Sequence, residues 1–192
     1  MHRSIEHPAL KPLKAKFPEV KFRVGEFRDM VTVVVPRTNL FEVCTFLRDD
    51  AGLRYNMLAE CNGVDYLNYP GAEHRFAVNY GLTSISNNNR LWLKVFLDPT
   101  EDTSPGHDWR DEEVIEKGDP GLKVSSVTGV WPGAEWMERE VYDMFGIIFL
   151  NHPDLRRILT WNGFGSYPLR KDYPLRGIGE RERYKIITRE GA

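Results

Sequence analysis

Three carboxylates and an imidazole lie close together in the chain: Glu138, Glu140, Asp143 and His152. Such a group could share a proton in general acid–base work, or hold a divalent metal. The spacing argues against both. On a helix, positions two apart point about 200° from each other, so Glu138 and Glu140 cannot face one substrate. Glu140 and Asp143 share a face, but His152 belongs to a different local segment. Metal sites ordinarily bring more imidazole or thiolate than this. The reading that remains is a helix surface paired with arginines. His152 precedes Pro153-Asp154 and is expected to cap the next segment or to hydrogen-bond across an interface, with a proton relay as the lesser alternative.

Other chemistry fails for similar reasons. Gly163-Phe164-Gly165-Ser166-Tyr167-Pro168 begins like a dinucleotide fingerprint, but Pro168 stands where the third glycine belongs and no strand precedes it. There is no phosphate-binding loop and no nucleophile elbow, and the histidines at 2, 7, 74, 107 and 152 are scattered. Cys44 and Cys61 are too few for an iron–sulfur cluster and read as buried thiols. No catalytic, cofactor-binding or metal-ligating residue is therefore assigned. Arg170-Lys171-Asp172-Tyr173-Pro174 is the densest basic–aromatic cluster. Nucleic-acid binders interleave such residues, yet the chain carries a net charge of −2 and no nucleic-acid motif. Docking to protein through Arg and Tyr anchors fits better.

The elements that must position these residues can be read from periodicity. A short helix is expected over 8–17, weakened by Pro12. Val20, Phe22 and Val24 alternate with Lys21 and Arg23, which predicts a strand with one buried face. Residues 32–35 form a second strand, stopped by Pro36, with a charged hairpin link at 26–29. Asn39 and Glu42 have capping-box spacing, and Leu40, Val43, Cys44 and Leu47 make one helical stripe that Gly52 is placed to end. Strands at 53–61 (ending on the Asn62-Gly63 turn pair), 75–82 and 90–97 make an antiparallel meander. Residues 134–145 form a helix with Ala134, Met137, Val141 and Met144 or Phe145 inward. Glu135–Arg139 and Arg139–Asp143 are expected as ion pairs one turn apart, and Gly146 as the stop. A short strand follows at 147–149. This order predicts an α+β fold, a mixed or antiparallel sheet with helices on one face.

Charge divides the chain further. Residues 98–120 hold nine acids against two bases, and 151–192 hold nine bases against five acids. The stretch 98–122 reads as an acidic surface insertion within a domain spanning 1–150. Residues 151–192 lose all regular period but are too apolar for a solvated tail. They read as an extended C-terminal arm that needs a surface, either another subunit's or its own domain's. No apolar run is long enough to span a bilayer, and no secretory signal is visible.

The run Glu138-Arg139-Glu140-Val141-Tyr142-Asp143-Met144-Phe145-Gly146-Ile147, then Phe149, then His152-Pro153-Asp154-Leu155-Arg156-Arg157-Ile158-Leu159, resembles the signature of the thirty-kilodalton (C-type) subunit family of respiratory complex I. Pro168-Leu169-Arg170-Lys171-Asp172-Tyr173-Pro174-Leu175 is similar to the family's second block. Gly63-Val64-Asp65-Tyr66-Leu67, Arg75-Phe76, Ser126-Val127-Thr128 and Trp131-Pro132-Gly133-Ala134 also match. Ser166-Tyr167 departs from the family's Gly-His, and the acidic stretch is longer than its usual link. The resemblance implies a non-catalytic scaffold in the peripheral arm of a proton-translocating NADH:quinone oxidoreductase. It implies FMN, iron–sulfur clusters and quinone held by partners, among them the quinone-site (D-type) subunit and the iron–sulfur subunits. It implies a peripheral place on the cytoplasmic side of the cell (inner) membrane, or on the matrix side if mitochondrial, with membrane contact only through the complex. The matching subunit of a membrane-bound hydrogenase-type complex is the alternative. Within the signature, Glu138, Arg139, Glu140, Tyr142, Asp143, Gly146, His152, Pro153, Leu155, Arg156, Arg157, Leu169, Arg170, Lys171, Asp172 and Pro174 are the expected partner-docking residues.

Overall fold

The computed structural model describes residues 5–99 and 119–179. Helix α1 (Leu10–Lys16) is followed by strands β1 (Arg23–Phe27) and β2 (Met30–Val34), then α2 (Leu40–Asp49). Strands β3 (Met57–Asp65), β4 (Phe76–Ser84) and β5 (Asn89–Leu97) come next, then β6 (Lys123–Ser125), α3 (Ala134–Phe145) and β7 (Ile148–Leu150). The fold is α+β. The main sheet runs β1-β2-β5-β4-β3, antiparallel except where β2 lies parallel to β5; β6 and β7 form a separate parallel pair.

Period-two patterning decides which face is dry. Val31 and Val33, Leu91, Leu93, Val95 and Leu97, and Phe76, Val78, Tyr80 and Leu82 all point inward and are buried. The stripe Leu40, Val43, Cys44 and Leu47 of α2 joins them, with Ala134, Val141, Met144 and Phe145 of α3. Each fully buried aliphatic side chain contributes roughly 1.5–3 kcal/mol. Trp131 ties the layers together, its Nε1 donating to the Tyr55 carbonyl at 3.0 Å.

Several local expectations are corrected. β1 starts at Arg23 rather than Val20, and all its residues are exposed, because it is the outer strand of the sheet, beyond the helices. Its hairpin to β2 turns on Arg28 and Asp29, both at positive φ (49° and 62°), the primed geometry that matches strand twist. β3 runs straight through Asn62-Gly63 instead of turning there. Gly63 serves helix packing: a Cβ on it would sit 2.5 Å from the Phe145 ring. Asn39 makes no cap, since a 3₁₀ turn (Arg37–Asn39) precedes α2 and its side chain accepts from Thr38 Oγ1 instead. Gly52 does not take the left-handed conformation. The Asp50 carboxylate ends the helix by accepting from the Gly52 and Leu53 N–H groups at 2.9 and 3.1 Å. Most of the acidic stretch lies outside the described residues, but Asp98 at its start is no solvated loop residue. It accepts from the Arg75 N–H at 2.8 Å and pairs with His74 Nδ1 at 2.6 Å.

Candidate docking site

α3 is amphipathic, yet its inward face carries two acids. Glu138 and Asp143 are fully buried, so the expected helix surface paired with arginines is interior at these two positions: Asp143 does pair with Arg157, whereas Glu138 bonds Ser126 and the Val127 N–H. A buried carboxylate must find donors. Glu138 accepts from Ser126 Oγ at 2.6 Å and from the Val127 N–H at 2.7 Å. It thereby fixes the loop between β6 and α3. Burial pushes its pKa up to about 7, against the pull of the Ser126 and Val127 hydrogen bonds.

Asp143 anchors the chain beyond β7. One of its oxygens accepts from the N–H groups of Ile158, Leu159 and Thr160 at 3.0, 2.7 and 2.8 Å. The other accepts from Thr160 Oγ1 and from Arg157 Nη1 at 2.7 Å. Burial raises its pKa, but these donors outweigh burial and hold the carboxyl down at about 2. Three successive N–H groups converging on one carboxylate make an anion nest. Arg157 continues the network, donating to the Ser166 carbonyl at 3.0 Å and lying over the Tyr167 ring.

A second hub sits at the end of β3. Asp65 is buried against Arg75, whose side chain is 1% exposed. Asp65 also accepts from the Leu67 N–H at 2.9 Å and, across the fold, from the Lys171 N–H at 2.8 Å. Arg75 in turn donates to Asp172 at 2.6 Å. Arg170 donates to the Phe145 carbonyl at 2.6 Å, with its guanidinium 4.4 Å from the Tyr167 ring centroid. Gly146 makes room for this: its φ is +77°, and a Cβ there would lie 2.5 Å from Arg170 Nη2.

The expected docking residues therefore divide. Glu138, Asp143, Gly146 and Arg170 are buried, and Arg157 is half-buried. Tyr142 meets Tyr167 edge-on, and Leu155 packs against the core. The His152 side chain is fully enclosed, its Nδ1 accepting from the Asp154 N–H at 3.0 Å and its Nε2 bonding the Glu135 carbonyl at 3.0 Å. Of the two expected roles it takes capping, 4.0 Å from Glu138. Arg139 makes neither helical ion pair; it reaches the carbonyls of Arg156 and Arg157. Glu140, Pro153, Arg156, Leu169, Lys171, Asp172 and Pro174 are exposed. Asp65, Arg75 and Ser126 were not singled out from sequence as site residues. Asp65 carried a signal, because its position continues the inward alternation of β3 where an apolar residue belongs.

Around these hubs, Leu159, Trp161, Leu169, Leu175 and Ile178 remain exposed. Among the described residues, no group of three or more His, Cys, Asp or Glu is placed to hold a metal, and no helix is long and apolar enough to cross a membrane. Fold and site define an α+β domain that carries on its surface a polar-clamped arm with an apolar outer side.

Residues 33–178 match the family described as the 30 kDa subunit of respiratory-chain NADH dehydrogenase. The C-type subunit of the NADH-quinone oxidoreductase of Geotalea uraniireducens is 41% identical over 92% of this chain and 92% of its own. That of Geobacter sulfurreducens is 42% identical, over 92% and 94%. A trypsin-resistant fragment of Nqo5 has the same fold, with TM-score 0.56 and 29% identity over 77% of this chain and 96% of its own. A chain of an archaeal membrane-bound sulfane sulfur reductase superposes with TM-score 0.61 over 96% of this chain and 94% of its own; at 20% identity this shows the fold alone. The chain belongs to the 30 kDa subunit family of respiratory-chain NADH dehydrogenase. It is thus one subunit of a multisubunit respiratory enzyme and has partner subunits.

Proposed function

We propose that this chain is a non-catalytic docking subunit in the peripheral arm of a proton-translocating NADH:quinone oxidoreductase. It supports assembly and braces the quinone-site subunit, while FMN, iron–sulfur clusters and quinone are bound by partners. The subunit sits on the cytoplasmic side of the membrane and touches it only through the complex. One observation carries this reading. Residues 151–179 are pinned to the domain by buried polar hubs, yet they hold large apolar side chains in solvent, with Leu175 fully exposed and Leu159 and Leu169 each more than half exposed. Folding alone does not account for that surface, whereas a hydrophobic interface core does. The names of the relatives at 41–42% identity favour a quinone oxidoreductase over a hydrogenase-type complex.

Removing the whole arm would strip Asp143, Asp65 and Arg75 of partners and unfold the domain for a trivial reason. The cleaner test is Leu175→Asp with Ile178→Asp in the intact complex. The subunit should melt as the wild type does, and should fail to copurify with the quinone-site subunit. Normal assembly and NADH:quinone activity in the double variant would overturn the docking role.

A further inference from the structure

The sheet has a second face, opposite α2 and α3. The registers place Thr32 and Val34 of β2 and Trp92, Lys94 and Phe96 of β5 on it. Near the end of β5, the loop between β3 and β4 rises over this face and closes a cleft of about 570 Å³ with β1. Among the described residues, none of α1, α2, α3 or 151–179 lines it.

Its charges are unbalanced. The Arg23 guanidinium and the Lys94 ammonium both lie over the Phe96 ring, 5.5 and 5.7 Å from its centroid. Lys94 also donates to the Tyr66 hydroxyl at 3.0 Å, and no carboxylate among the described residues pairs with it. Among the described residues Glu73 is the one acid lining the cleft, and it is taken by Arg23 at 3.1 Å. His74 stacks on the same ring at 4.9 Å, and its hydrogen bond to Asp98 favours its protonated form. Two cations and a protonatable ring thus converge on one aromatic, in a chain whose net charge is −2. Beside them the surface is apolar: Val34 and Tyr69, the last 64% exposed. At Gly25 a Cβ would meet nothing within 4 Å, so a backbone can lie close over β1.

We propose that this cleft docks an extended segment of a partner subunit bearing a carboxylate side chain beside an aromatic or aliphatic one. The carboxylate meets Lys94, beside the Arg23–Glu73 pair, and its apolar neighbour covers Val34 and Tyr69. Cations already held against an aromatic face favour an anion and reject a basic segment. The inference rests on the chain being one subunit of a larger enzyme, and stands apart from the arm's role.

The test uses the assembled complex with a benzoylphenylalanine photo-crosslinker replacing Tyr69, and mass-spectrometric mapping of the product. The expected cross-link is to one partner segment with an Asp or Glu next to an apolar residue. It should drop several-fold in Lys94→Glu and, without any change of charge, in Gly25→Leu, and Lys94→Arg should retain it. A cross-link confined to this chain (residues 100–118 included), one to lipid or to a segment lacking an acid, or one unchanged in both Lys94→Glu and Gly25→Leu would each overturn the proposal. Leu175→Asp, which tests the arm, does not touch this cleft, so the two readings fail separately.

Discussion

Asp143→Asn replaces the anchor of the arm with an uncharged isostere, and its cost can be worked from the structure in two ways. The first is pairing. The carboxylate accepts three backbone N–H bonds, a hydroxyl and a charged guanidinium, and is itself fully buried. Removing one partner of a buried ion pair costs roughly 3–5 kcal/mol, because the other charge stays behind. The second is linkage. A folded pKa of about 2 lies some two units below the ordinary Asp value of roughly 3.9, which corresponds to about 2–3 kcal/mol. The carboxyl is depressed, so this stability is present above about pH 4 and is lost as the pH falls from there toward 2. Both routes give a few kcal/mol, a sizeable share of the roughly 5–15 kcal/mol of a typical domain. Urea unfolding of the full chain at pH 7 should show the loss, and hydrogen exchange should show residues 157–160 released. The acid limb should also become shallower between pH 4 and 2, by at most about 0.8 proton near pH 3. A variant within about 0.5 kcal/mol of wild type, with an unchanged acid limb, would refute the nest as the arm's anchor.

Glu138 predicts the opposite pH trend. Its folded pKa of about 7 lies above the unfolded value near 4.3, so its contribution is complete below that value and fades as pH rises through 7; Glu138→Gln should flatten the stability profile between pH 5 and 8 in denaturant titrations. Gly63→Leu should drive Phe145 and α3 away from β3 and cost about 1–3 kcal/mol or more by thermal melting. Gly146→Ala adds left-handed strain of about 1 kcal/mol and displaces Arg170, which hydrogen exchange around residues 167–172 should report as lost protection.

Much of this molecule was legible in its one-dimensional pattern. The stripes of α2 and α3, the meander β3–β4–β5 and the burial of both cysteines follow from periodicities that report a dry face directly. The signature residues also carry the family resemblance by themselves. What pattern could not settle was the job of each charged residue. Glu138, Asp143 and Asp65 look like surface acids in sequence, because burial of a carboxylate depends on donors brought from far along the chain. Lys171 lies 106 positions from Asp65, and Asp172 lies 97 from Arg75. Gly63 read as a turn for the same reason: the ring that requires it arrives with α3. Local spacing determined the elements and the family, and only tertiary contact decided that the acids of α3 and β3 are interior clamps, since their partners become neighbours only once the chain has folded.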